Sequence, residues 1–169
     1  MNGSIRSLLR LVMLFALLVP AAGTLAGDRD VSYDSSVDFR AVKTFAIRSG
    51  QIDSRKAEID NRLFRLRMED SIRTALVRKG LREAADHADV LVTYSVQDKN
   101  VATVERHRQT AATPELYTEG VLVIDFTNAS GSLLWRGTWH DQEQSGPSLS
   151  RKLSEDAGKL LAKFPPKGR

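Results

Sequence analysis

Hydrophobic and polar positions change period several times along the chain, and each change marks an element. Val31 and Tyr33 alternate with polar neighbours, Asp34-Ser35-Ser36 supplies turn chemistry, and Thr44 to Ile47 forms a second β-prone run. Phe39 and Val42 are expected to fold inward between these strands. Ser49 to Arg55 is polar and reads as a connection. From Ala57 to Lys79 the period becomes helical, with Phe64, Met68, Ile72, Ala75 and Leu76 on one face. Gly80 follows the basic pair Arg78-Lys79 and predicts a left-handed stop. After a linker from Leu81 to Ala88, the run Asp89 to Val96 alternates as an interior strand. Gln97 to Glu115 is polar, with Val101 and Val104 in β-tolerant spacing, and reads as a strand extension, a loop, or both. The last apolar stripe is Leu149, Leu153, Ala157, Leu160, Leu161 and Phe164, a helix capped by Ser148 or Ser150 and stopped by Pro165-Pro166.

The strongest pattern is GVLVIDFTNASGSLLWRGTW, Gly120 to Trp139, two apolar strands around a polar turn. A four-residue turn, Asn128 to Gly131, would set Thr127 opposite Ser132, Phe126 opposite Leu133, Ile124 opposite Trp135 and Leu122 opposite Gly137. These residues form the expected core face. The reverse face would hold Val121, Val123 and Asp125 opposite Thr138, Arg136 and Leu134, with Asp125 and Arg136 as diagonal partners. A one-residue slip would turn over every side chain on the slipped strand, so the register is a strict expectation.

The element order β-β-α-β-β-β-α predicts an α+β two-layer sandwich, with a mostly antiparallel sheet of four or five strands carrying two helices on one face. A length of 169 residues, 41% hydrophobic and 27% charged, suits one ordinary globular domain. Residues 1–26 have the parts of a secretory signal: Arg6 and Arg10, an apolar run from Leu11 to Val19, then Ala21-Ala22-Gly23-Thr24-Leu25-Ala26. Cleavage is expected before Gly27, with Gly23 the second choice. The apolar run is shorter than the ~20 residues a spanning helix needs, so no stable membrane span is expected once the signal is removed. Export then places residues 27–169 in the periplasm or outside the cell.

The formal charge of +4 falls to +2 without the two leader arginines, and mixed signs give no nucleic-acid footprint. Without cysteine the chain can form neither disulfides, thiolate metal sites, a cysteine nucleophile nor a lipid anchor through that residue.

Catalytic chemistry leaves little trace. His87, His107 and His140 stand in no metal-ligand spacing, and no nucleophile elbow, phosphate-binding glycine loop or dinucleotide fingerprint is present. His140-Asp141 is the best acid–base pair in sequence, but neighbours on a strand point to opposite faces. Asp125 reads as a solvent-face partner of Arg136 and Trp135 as a core residue; Asn128-Ala129-Ser130 reads as turn chemistry. No catalytic, cofactor-binding or metal-binding residue is assigned.

Several motifs together resemble the bacterial family called domain of unknown function 4136 (DUF4136), found in envelope proteins, many of them predicted lipoproteins. They are Val31-Ser32-Tyr33-Asp34, Asp38-Phe39, Lys43-Thr44-Phe45-Ala46, Lys79-Gly80-Leu81 and Ala88 to Tyr94. Gly120 to Phe126, Leu134-Trp135-Arg136-Gly137 and Leu161 to Pro166 complete the series. The resemblance implies an α+β fold and an envelope location, and no activity. Two departures stand out: the leader lacks the lipid-attachment cysteine of many relatives, and the family's aromatic near Ile47 is absent.

The favoured expectation is a non-enzymatic exported module that binds an envelope protein or envelope component through Val121, Val123, Leu134, Arg136 and Asp125 on the hairpin's reverse face. The alternative is a carrier holding a small apolar ligand between sheet and helices near Trp135 or Tyr94. A hydrolase using His140 or His107 ranks last.

Overall fold

The computed structural model describes residues 28–104, 114–143 and 145–166. The leader of residues 1–26 and the cleavage positions lie outside the described residues. In chain order the elements are β1 (Asp28–Tyr33), β2 (Thr44–Ile47), β3 (Gln51–Asp53), α1 (Arg62–Arg78), β4 (Arg82–Glu83), β5 (Val90–Val104), β6 (Pro114–Thr127), β7 (Leu133–Glu143) and α2 (Gly146–Leu161). The strands form one seven-stranded sheet in the order β1-β7-β6-β5-β2-β4, with β3 also paired to β5.

The expectation of four or five mostly antiparallel strands needs correction: the sheet is larger and mixed. β2 and β3 both run parallel to β5, and β4 runs parallel to β2. The cause is α1, which carries the chain back across one face, so the next strand enters in the same direction as those before it. The two missed strands are short and polar. Gln51–Asp53 and Arg82–Glu83 have no room for the alternation that reveals a strand. Between β2 and β3, Gly50 lets the Tyr94 ring occupy the space a Cβ would need. Asp89 fastens β2 at the start of β5, its Oδ2 accepting from the Lys43 and Thr44 amides at 2.9 and 2.8 Å and from Thr44 Oγ1 at 2.8 Å.

The hairpin also has a different register. Thr127 lies opposite Leu133, Phe126 opposite Trp135, Ile124 opposite Gly137 and Leu122 opposite Trp139, with a bulge beside Phe126. Gly131 takes φ +86 and donates its amide to Asn128 O, while the Asn128 carboxamide oxygen accepts from Ser132 N at 2.9 Å. Those bonds close a three-residue loop instead of a four-residue one. The shorter loop and the bulge each shift the pairing by one residue. Two shifts restore the faces, because side chains alternate with period two. Leu122, Ile124, Phe126 and Trp135 are therefore buried as expected, whereas Leu133, next to the bulge, is 42% exposed.

Both helices cover the same face. α1 is capped by Asn61, whose side chain accepts from Phe64 N at 2.9 Å, and buries Phe64, Met68, Ile72 and Leu76. Gly80 ends the segment at φ +87, the left-handed stop the sequence predicted. α2 is capped by Ser145, three residues before the expected Ser148, because Pro147 suits a first helical turn. It buries Leu149, Leu153, Ala157, Leu160 and Leu161. Phe164 closes the core against Phe126 and Trp135 at centroid distances of 4.4 and 5.8 Å.

Candidate functional site: the open face of the sheet

Because α1 and α2 lie on one face, the other face of β5–β6–β7 meets no helix among the described residues. Cross-strand pairing arranges it in rows. Thr93, Asp125 and Arg136 form one, Ser95, Val123 and Thr138 the next, and Gln97, Val121 and His140 a third. β1 extends the first two rows with Ser32 and Asp30. Val121 and Val123 thus form a half-buried apolar strip flanked by small polar side chains.

Charge pairs border the strip at both ends. Arg136 donates from Nε to Asp125 Oδ1 at 2.7 Å and from a terminal nitrogen to Oδ2 at 2.6 Å. The pair is directly cross-strand, not diagonal, because of the corrected register. The bond to Asp125 raises the Arg136 pKa above its ordinary value, so its charge is fixed. At the other end Lys99 approaches Glu119 at 3.0 Å, and His140 Nδ1 stands 3.8 Å from the same carboxylate. Of the residues expected on this face, Val121, Val123, Asp125 and Arg136 come together on it. Leu134 sits at the bulge, half-buried and packed against the core, and so borders the face.

No constellation for hydrolysis assembles from the described residues. His87 follows β4 at one end of the strand order and His140 lies on β7 near the other; His107 falls outside the described residues. His140 is exposed on the open face, whereas Asp141 is 3% exposed on the helix side. No group of three or more potential metal-ligating His, Asp or Glu residues forms among the described residues.

A carrier cavity also lacks support. Trp135 is fully buried against Phe126 at 5.1 Å, and a Cβ on Gly137 would come within 2.5 Å of Trp135 and 2.8 Å of Leu160. Tyr94 is 2% exposed, with its hydroxyl 3.4 Å from Glu69, and burial pushes its pKa up to about 12. Two open grooves, of about 670 and 630 Å³, instead lie on the outer side of α1 and α2, lined by side chains of both charge signs including Asp70, Arg67, Arg78 and Glu155.

Sequence reading missed one polar cluster between β7 and α2. Lys152 Nζ donates to Asp141 at 2.8 Å and to Glu143 at 2.7 Å, and Lys159 Nζ donates to the fully buried Asp156 at 2.6 Å. Desolvation pulls the Lys152 pKa down, but the two carboxylate bonds outweigh it and hold it at about 12. A signal was present: Asp156 falls beside Leu149, Leu153, Ala157 and Leu160 on the apolar stripe of α2.

Comparison with known proteins agrees with the fold. No curated protein matches the sequence. A PDZ domain protein from Parabacteroides distasonis aligns at 15% identity and a TM-score of 0.55, over 85% of this chain but 38% of its own. The chain thus spans well under half the length of that protein. A homolog of neuraminyllactose-binding hemagglutinin from Helicobacter pylori aligns at 12% identity and a TM-score of 0.53, over 76% of this chain and 86% of its own. A DUF4136 family protein from Bacteroides thetaiotaomicron aligns at 13% identity and a TM-score of 0.52, over 83% of this chain and 96% of its own. At these identities the likeness concerns the fold alone. The DUF4136 family model matches residues 29–166, which contain every one of the motifs, and the chain belongs to that family, a domain of unknown function.

Proposed function

We propose that the protein is a non-enzymatic accessory module of the bacterial cell envelope, exported by its leader, that docks an envelope protein or envelope component on the open face of β5–β6–β7. The observation that supports this reading most is the one-sided layering. Both helices cover one face, while the other presents Val121 and Val123 between the Asp125–Arg136 and Lys99–Glu119 pairs. An apolar strip with charged borders suits recognition, since the strip supplies area and the borders fix orientation. No helix among the described residues is long and apolar enough to cross a membrane.

Photo-crosslinking in intact cells tests the reading. A crosslinker at position 123 is expected to give one recurrent adduct that a second probe at Leu63, on the far side of α1, does not give. No adduct, or the same adduct from both positions, would count against it.

A further inference from the structure

The cluster between β7 and α2 has an unusual accounting of protons. Asp156 is fully buried and Asp141 is 3% exposed, and the Lys152–Asp141 bond brings Asp141 to the face of α2 that carries Asp156, one turn after Lys152. Each uses Oδ1 to accept from a lysine, Lys152 for Asp141 and Lys159 for Asp156. Each leaves Oδ2 with no partner among the described residues. Two ionised carboxylates in that position would repel and would each leave a buried oxygen unsatisfied.

We propose that Asp141 and Asp156 hold one proton between their Oδ2 atoms, and that this shared proton is the catch fastening α2 to β7. It satisfies both orphan oxygens in a single bond. It also balances the cluster: three carboxyl groups including Glu143, one shared proton and two ammonium groups sum to zero charge.

Apart from Lys152 and Lys159 at the Oδ1 atoms, no cation among the described residues is paired with either carboxylate. On β6 the residue opposite Asp141 is Gly120, which has no side chain. From β1, Arg29 lies over the Trp139 ring at 4.5 Å. Asp70, Arg78 and Lys79 of α1, with Glu155 of α2, line the outer groove beside Lys159, and Lys56 and Glu58 approach the start of α2 at Gly146.

Desolvation, opposed by Lys159 and reinforced by Asp141, raises the Asp156 pKa above the ordinary aspartate value. The native state therefore keeps a proton that the unfolded chain releases near pH ~4. Stability tied to this proton is complete below that pH and is lost as pH rises through the native value.

The test is denaturant unfolding of the protein and of Asp156→Asn between about pH 5 and about pH 9, where ordinary aspartates are ionised throughout. The Asn amide donates to Asp141 permanently while its oxygen still accepts from Lys159. The wild type is expected to lose midpoint concentration as pH rises, and Asp156→Asn to lose less and to exceed it at the alkaline end. Parallel curves, or a variant weaker by the same amount at every pH, would overturn the proposal. Infrared spectra of the folded wild type near pH ~5 give an independent reading. A protonated-carboxyl band that Asp141→Asn removes is expected, and absence of such a band overturns the shared proton.

Discussion

The two faces of β7 are built from the same eleven residues and are packed differently. Trp135, Gly137, Trp139 and Asp141 point toward the helices and are buried, whereas Arg136, Thr138 and His140 point away and stay partly or fully accessible. On the helix side the apolar packing is close: Trp135 against Phe126 and Phe164, Gly137 under Leu160, with Asp141 bonded to Lys152. On the open side the chief contact is an ion pair whose arginine is 48% exposed. Folding free energy is therefore concentrated on one face, which leaves the other free to change without unfolding the domain.

Truncations should separate the faces by size of effect. Trp135→Ala is expected to cost about 3–5 kcal/mol in unfolding free energy, enough to remove most of the stability of a domain this size. Gly137→Ala should cost about 1–3 kcal/mol, because its Cβ would press on the Trp135 ring and on Leu160; measured by urea denaturation, a neutral result would mean that this layer can relax. Asp89→Ala removes three accepted hydrogen bonds at an exposed position and should cost about 1–2 kcal/mol. Backbone bonds from Lys43 and the Thr44 hydroxyl hold the Asp89 pKa below its ordinary value. Its contribution is thus present above the unfolded aspartate pKa and is lost as pH falls through the native one, the reverse of Asp156. Thermal melts of Asp89→Ala and wild type should converge in acid. Arg136→Ala, on the open face, should change stability by no more than about 1 kcal/mol.

The same contrast explains what the sequence could reveal. Long alternating or stripe patterns exposed the hairpin faces, α1 and α2, because burial of a whole face imposes a period. β3 and β4 escaped because three and two polar residues cannot show one. The hairpin register was misjudged because the Asn128 side-chain bonds and the bulge at Leu133–Leu134 are local choices invisible to hydrophobic patterning. The faces nevertheless survived that error, since the two shifts cancel in parity. Val121, Val123, Asp125 and Arg136 could thus be named from sequence, while Asp156 was hidden as one acid in an otherwise regular apolar stripe.

Neighbouring residues on β6 offer the most direct test of a recognition face set apart from a folding face. Ile124→Asp places a charge in the core and should abolish the folded state, since an unpaired buried charge costs several kcal/mol. Val123→Asp, one residue away, should remain folded with a loss of about 1 kcal/mol, mainly from strand propensity. Measured side by side, unfolding free energy and crosslinking yield from position 121 in cells should show Val123→Asp folded but without its adduct. A Val123→Asp protein that unfolds, or that stays folded and keeps the same adduct, would contradict the assignment of docking to this face.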